Sequence, residues 1–119
     1  MINLELTQKL INDFNNNGFL ILDKFLDTEY LDQLRSRFEP LFKGVFETGV
    51  EPDEWNWKFE KDPNDVTRQI CNAWKADNLI RNFVCHEIVG KFCSQLMSWK
   101  GARLIQDNIL WKPPGGKTL

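Results

Sequence analysis

The sequence has few of the residues that most often bind metals or carry out catalysis. It contains one histidine, His86, and three cysteines that form no CxxC pair. A zinc site takes closely spaced cysteines and histidines, whereas these cysteines are eight or more residues apart with no second histidine. A lone histidine between two helical stretches is more often structural than catalytic. The sequence therefore predicts no metal ligand and no catalytic residue.

Long apolar runs and an excess of basic charge are missing too. No segment approaches the ~18 consecutive apolar residues that a membrane span needs. The 15 lysines and arginines against 17 acids give a net charge of -2, which provides no general attraction to nucleic acid or to an anionic membrane. We therefore expect neither partner.

What is present is the composition of one globular domain or part of one, with 42% hydrophobic and 13% aromatic residues. The cysteines are odd in number and lie in apolar-patterned segments. This usage is typical of reduced, buried thiols, so we expect a cytoplasmic protein without a disulfide framework.

Residues 1–44 show the pattern helix, strand, helix. Thr7 is a good N-cap for a first helix whose apolar residues lie on one face. The apolar run at 19–22 predicts a short strand, and Asp27 or Thr28 can cap a longer second helix. The first third of the chain therefore indicates two amphipathic helices joined by a strand.

Residues 45–66 form an acidic, aromatic loop with neither helical nor strand periodicity. It carries seven acids against two lysines, and a loop of this length inside a domain is often functional. Trp55 and Trp57 are two residues apart and would face the same way in an extended segment. We expect them to anchor the loop to the domain, since aromatic side chains bury large areas. The alternative is that they form the wall of a pocket for an apolar substrate.

Residues 67–101 are predicted to form helices, one of them capped by Asp77, and residues 102–116 a strand and turn. The residues that share one face of this strand are Gln106, Asn108 and Leu110. The prolines and glycines at 113–116 must end the strand. A polar strand face either meets solvent or lines a polar pocket.

Arg68 precedes an apolar stretch, and two roles are open for it. It could pair with one of the acids of the loop, as surface arginines often do. Alternatively, its planar guanidinium forms a fork for an anionic cosubstrate.

Four segments of the chain carry a specific combination of residues. They are 17–23 (NGFLILD), 52–57 (PDEWNW), 67–77 (TRQICNAWKAD) and 106–115 (QDNILWKPPG). In this order they resemble the N-terminal part of the phytanoyl-CoA dioxygenase family, and the likeness covers essentially the whole chain. Members of that family are Fe(II)- and 2-oxoglutarate-dependent oxygenases built on a jelly-roll.

The resemblance implies an α+β fold, with an N-terminal helical portion and the first strand or strands of an incomplete double-stranded β-helix (jelly-roll). The family's iron ligands, a His-x-Asp pair and a distal histidine, follow the segment that matches 106–115. We therefore expect residues 1–119 to be a partial domain and an N-terminal fragment, inactive by itself. The intact protein is expected to use Fe(II) and 2-oxoglutarate to hydroxylate an aliphatic carbon of a small organic or acyl substrate.

The resemblance also implies three cosubstrate contacts. Asn108 matches a polar position placed against 2-oxoglutarate, and Arg68 lies nearest to a basic position upstream. Gln106 shares the strand face of Asn108 and is a further candidate contact. Neither iron nor 2-oxoglutarate is expected to bind tightly to the 119 residues alone.

The alternative function is a non-catalytic binding or protein-interaction module. Strand 103–111 would then have an unpaired edge, which proteins usually cover, and would allow self-association. Because a strand needs further strands or a helix layer to bury its apolar face, we expect a mostly helical, marginally stable chain.

Overall fold

Helices and a small antiparallel sheet make up the protein, whose computed structural model describes residues 1–117. The helices are α1 (Gln8–Asn17), α2 (Thr28–Phe42), α3 (Asn78–Val84) and α4 (Glu87–Leu96). The strands are β1 (Glu54–Trp55), β2 (Arg68–Cys71) and β3 (Asn108–Trp111), with a short 3₁₀ turn at Ala73–Lys75. The chain is therefore α+β, as expected.

Side-chain caps determine where these helices begin. Thr7, Asp27 and Asp77 are the N-caps of α1, α2 and α3, as predicted, and His86 caps α4. Each cap accepts a hydrogen bond from a backbone N–H of the first turn, which has no partner within the helix. After α1, Gly18 has a φ of 77°, a left-handed conformation that glycine adopts without strain.

The three strands form one sheet in the order β1-β2-β3. The central strand places Ile70 opposite Trp55 of β1 and opposite Ile109 of β3. Ile70 is fully buried, and the rings of Phe42 in α2 and Trp111 in β3 meet edge to face at 5.9 Å. The core therefore lies between α2 and one face of the sheet.

Two tryptophans attach the acidic, aromatic loop to this core. Trp57 is 1% exposed, and its Nε1 donates to the carbonyl oxygen of Pro63 at 2.9 Å. Trp55 donates from Nε1 to the carbonyl oxygen of Phe42 at 3.2 Å, and a Cβ at Gly44 would collide with its ring. The prediction that these tryptophans anchor the loop is confirmed.

The predicted strand at 19–22 is wrong. These residues are irregular, and Phe19 and Ile21 are 59% and 76% exposed. Ile2 instead forms an isolated antiparallel bridge with Leu26, next to this segment. A short apolar run does not become a strand without a partner along its length.

The prediction that 67–101 is entirely helical is also wrong, because it includes β2. Arg68–Cys71 has a strand on each side, and pairing of this kind overrides local propensity. We expected a mostly helical chain, and that expectation did not include the three-stranded sheet. The prediction of α3 and α4 is confirmed, although α4 ends at Leu96 and not at Gly101.

The predicted strand in 102–116 is confirmed only over Asn108–Trp111. Residues 101–107 are irregular, and Ile105 is 92% exposed.

The cysteines are free, but only Cys71 is buried, so the expectation of burial was wrong for Cys85 and Cys93. None of the helices in residues 1–117 is long and apolar enough to span a membrane.

Candidate functional site

The two faces of the β2–β3 pair have different surroundings. Alternation along the strands places Arg68, Ile70, Ile109 and Trp111 on the side of α2. The opposite side, which we call the open face, carries Gln69 and Cys71 of β2, Asn108 and Leu110 of β3, and Glu54 of β1. Asn108, Leu110 and Glu54 are exposed, so this is the side on which a ligand can approach.

Amide groups meet on the open face. Gln69 donates from Nε2 to Oδ1 of Asn108 at 3.0 Å, which joins the two central strands through their side chains. The backbone N–H of Gln69 donates to Oδ1 of Asn56 at 2.9 Å. The first bond uses the oxygen of Asn108, so the NH₂ group of Asn108 is left to donate to a ligand. Sequence reasoning found Asn108 but missed Gln69, whose place opposite β3 depends on the pairing of β2.

Gln106 lies next to the same face although it precedes β3. Its side chain lies near Cys71, which pairs with Asn108 across the two strands. Burial, followed by the negative charges of Glu54, Asp53 and Asp107, raises the pKa of the Cys71 thiol. The thiol form of Cys71 is therefore favoured over the thiolate.

Asp107 fixes the point where β3 begins. Its half-buried carboxylate accepts hydrogen bonds from the backbone N–H groups of Ala73 at 3.2 Å and Trp74 at 3.1 Å. Burial raises the pKa of Asp107, and these two bonds oppose the shift. Asn72, in a left-handed conformation with a φ of 58°, donates from its N–H to the carbonyl oxygen of Asp107 at 2.9 Å. The 3₁₀ turn is thus tied to β3 just before Asn108.

A second carboxylate holds the other side of this turn. Asp53 accepts hydrogen bonds from Lys75 Nζ at 2.5 Å and from Asn72 Nδ2 at 2.6 Å. The bond from Lys75, followed by that from Asn72, lowers the pKa of Asp53. The acidic loop and β3 are therefore both connected to one turn.

Arg68 lies on the helix-facing side of the sheet. Its guanidinium carbon is 3.8 Å from the ring centroid of Trp57 and 5.4 Å from that of Trp111. Its Nη2 makes two long hydrogen bonds to Asn64, at 3.3 and 3.4 Å, and its buried Nε has no partner within residues 1–117. Within the same residues it makes no ion pair, so the first of its two suggested roles is wrong. The sheet separates Arg68 from Asn108.

A partly buried ion pair connects α2 to α3 away from the open face. Asp77 is fully buried and accepts from the N–H groups of Leu79 at 2.9 Å and Ile80 at 3.0 Å. Its other oxygen accepts from Arg37 Nε at 2.6 Å. The partners satisfy both carboxylate oxygens, so this pair has a structural role.

A groove of about 890 Å³ lies between α4 and residues 99–106. Its wall is largely apolar, and His86 lies at one end, where Nδ1 accepts from the N–H of Ile88 at 3.2 Å. The single histidine is thus engaged as a helix cap. Residues 1–117 contain no group of three histidine, cysteine or acidic side chains that could hold a metal ion.

Comparison with models of known protein families, with curated proteins and with solved structures finds no match to this chain.

Proposed function

We propose that this chain forms the N-terminal part of an Fe(II)- and 2-oxoglutarate-dependent dioxygenase. Its reaction would be hydroxylation of an aliphatic carbon of a small organic or acyl substrate. The observation that carries the proposal is the open face, where Gln69 of the segment 67–77 meets Asn108 of the segment 106–115, both of which resemble the family. On this view the sheet β1-β2-β3 is the beginning of a jelly-roll, and the open face looks into it.

The described residues fit one of the two cofactors. Amide NH₂ groups are suitable donors to a carboxylate or keto oxygen, so Asn108 and Gln106 would contact 2-oxoglutarate, with Gln69 holding Asn108 in position. Residues 1–117 offer no set of iron ligands, so we assign none to them. Bound iron and 2-oxoglutarate would together supply the oxidising chemistry, and the 119 residues would bind and orient the cosubstrate.

Within this proposal, Arg68 does not contact 2-oxoglutarate, although the resemblance to the family implied that it would. Arg68 and Asn108 lie on opposite sides of the sheet, so both cannot contact one small cosubstrate. Stacking between Trp57 and Trp111 would make Arg68 a residue that holds the sheet on the helix layer. We also place the protein in the cytoplasm, in keeping with free, exposed thiols at Cys85 and Cys93.

The test is turnover by the protein encoded by the complete gene. We expect formation of succinate from 2-oxoglutarate that requires Fe(II), and no turnover by residues 1–119 alone. Asn108→Ala is expected to raise the KM for 2-oxoglutarate roughly tenfold, because a hydrogen bond to a charged group is worth about 1.5 kcal/mol or more. Asn12→Ala on the exposed side of α1 is the control.

Two outcomes would contradict the proposal. The first is a complete gene product that does not consume 2-oxoglutarate in the presence of iron. The second is succinate formation by residues 1–119 alone, which would mean that the catalytic groups lie within them after all.

One observation favours the second candidate function, a non-catalytic interaction module. Strand β3 is the last strand in the sheet order, and Leu110 within it is 66% exposed. An exposed strand edge with an apolar side chain is a common site of pairing between proteins. Such a module would bind its partner through β3.

A further inference from the structure

The backbone of β3 has two edges with different partners. The N–H of Asn72 donates to the carbonyl oxygen of Asp107. These two residues are the next pair in the register of β2 and β3, directly beyond the end of both strands, and they form a bonded pair. Bonded and non-bonded pairs alternate in an antiparallel ladder. Ile109 and Trp111 therefore direct their N–H and C=O groups to β2, whereas Asn108 and Leu110 direct theirs to the opposite edge. Within residues 1–117, no strand pairs with that edge.

This edge has little of the protection that exposed strands usually have. Proline, charged residues and bulges are the common devices that prevent pairing with another chain. The residues of β3 itself, Asn108–Trp111, include neither a charge nor a proline. Leu110 is 66% exposed and Trp111 38% exposed, so pairing would remove apolar surface from water as well as satisfy the backbone.

The accessible surface of the whole molecule is also larger than that of a typical compact monomer of the same mass. Its accessible surface is 8459 Å², compared with about 6,700 Å² for a typical compact monomer of 14.0 kDa. Its radius of gyration is 16.4 Å, compared with about 13.5 Å for a compact domain of this length. A standard interface buries about 800 Å² per partner, which is well within the excess.

We propose that the free edge of β3 pairs, antiparallel, with β3 of a second copy of the chain, with Leu110 opposite the partner's Leu110. Bonded pairs can form only between residues whose backbone groups face outward, which restricts the register. In the register centred on Leu110, the two exposed leucines meet on the open face. Ile109 then lies opposite the partner's Trp111, and Asn108 lies opposite the partner's Lys112.

A second copy suits this edge for two reasons. Antiparallel pairing of identical strands follows from a twofold axis, which is the commonest symmetry of protein oligomers. In the register centred on Leu110 no two like charges lie opposite each other, because each Lys112 is across from an uncharged Asn108. The result is a six-stranded sheet with a helix layer on one side and a continuous open face on the other.

The first experiment measures the mass of the 119-residue chain by sedimentation over a range of concentrations. We expect a monomer–dimer equilibrium for the wild type. Leu110→Pro removes only an outward-facing N–H and leaves the bonds of Ile109 and Trp111 to β2, so it should give a monomer. Leu110→Lys places a charge on the edge and should do the same, which decides the matter if the proline variant does not fold. Val50→Lys, at a residue 52% exposed and outside the sheet, is the matched control and should dimerise like the wild type.

A wild type that stays monomeric at every concentration overturns the inference, as does a Leu110→Lys variant that dimerises as well as Val50→Lys. Neither result bears on 2-oxoglutarate turnover, so failure of this inference and failure of the proposed function are distinguishable.

The second experiment tests the register by cross-linking. Cys85→Ser and Cys93→Ser first remove the two exposed thiols. In this background, Leu110→Cys brings two thiols together, because directly opposite residues have Cα atoms about 5.5 Å apart. Asn108→Cys leaves its copies about 14 Å apart, since each is four residues along the strand from the other. We expect a short bifunctional thiol reagent to cross-link the Leu110→Cys variant rapidly. Preferential cross-linking of the Asn108→Cys variant overturns the register.

Discussion

The helix-facing side and the open face of the sheet are formed by the same strands, but they differ in how tightly their side chains are packed. On the first, Ile70 is fully buried and Trp57 is 1% exposed, so packing specifies each side chain. On the second, Gln69 and Asn108 make one hydrogen bond to each other and Leu110 extends into solvent. Because neighbouring residues in a strand point to opposite sides, one short segment serves both purposes. Stability therefore comes mainly from the helix-facing side, and the open face is left for a ligand or a partner.

The largest effect should come from removing the aromatic anchor on the helix-facing side. Trp57→Ala empties a fully buried site and should cost about 3–5 kcal/mol of unfolding free energy, enough to leave much of a marginally stable chain unfolded. Trp99→Ala, at a residue 58% exposed, is the matched control and should change stability by less than about 1 kcal/mol. Urea denaturation followed by circular dichroism measures both. Equal losses for the two variants would contradict the division between the two sides.

A smaller effect is expected when the stacked arginine is changed on the same side. Arg68→Lys keeps the charge but loses the planar group that lies over Trp57 and near Trp111, so stability should fall by about 1 kcal/mol. Arg35→Lys on the exposed side of α2 is the control and should be neutral. The same denaturation assay applies. A neutral Arg68→Lys would remove the role we give to this residue in holding the sheet on the helix layer.

The pH dependence of stability should separate the two carboxylates that hold the 3₁₀ turn. The pKa of Asp53 is lowered by Lys75, so its contribution is present above the unfolded value and is lost as the pH falls through the folded pKa. The pKa of Asp107 is raised by burial, so its ionisation opposes folding and its contribution falls as the pH rises from the unfolded value to the folded pKa.

The measurement is unfolding free energy against pH for the wild type and for two asparagine variants. Asp53→Asn should lose less stability than the wild type on acidification below about pH 4, near the ordinary pKa of aspartate. Asp107→Asn should lose more than the wild type during acidification just above about pH 4, because the wild type gains stability there as Asp107 takes up a proton. The same direction of change in both variants would contradict the opposite pKa shifts of these two carboxylates.

The sequence was most informative where a local signal and the tertiary structure agree. Helix caps are such signals, because Asp27 and Asp77 act on N–H groups two or three residues away. Leu110 was correctly placed on the same strand face as Asn108, since alternation is a local rule. Pairing partners are not local, so β2 was missed within a segment predicted as helix. The role of Gln69 was missed for the same reason, because it depends on contact with a residue 39 positions away.

The smallest effect on stability should come from Asn108, and the largest effect on binding should come from the same residue. Its side chain is exposed and its hydrogen bond to Gln69 lies at the surface, so Asn108→Ala should change unfolding free energy by less than about 0.5 kcal/mol. When 2-oxoglutarate is titrated into the labelled 119-residue chain, weak shifts are expected in the amide NH₂ signals of Gln69, Gln106 and Asn108. Asn108→Ala should abolish the shifts at Gln69 and Gln106, whereas Asn12→Ala on α1 should leave them unchanged. Shifts confined to the surroundings of Arg68 would instead place the anion on the helix-facing side and reverse the assignment of the two faces. We therefore expect Asn108 to be neutral for folding and essential for the ligand response. The side chains of the open face are not held by packing and remain available to a ligand.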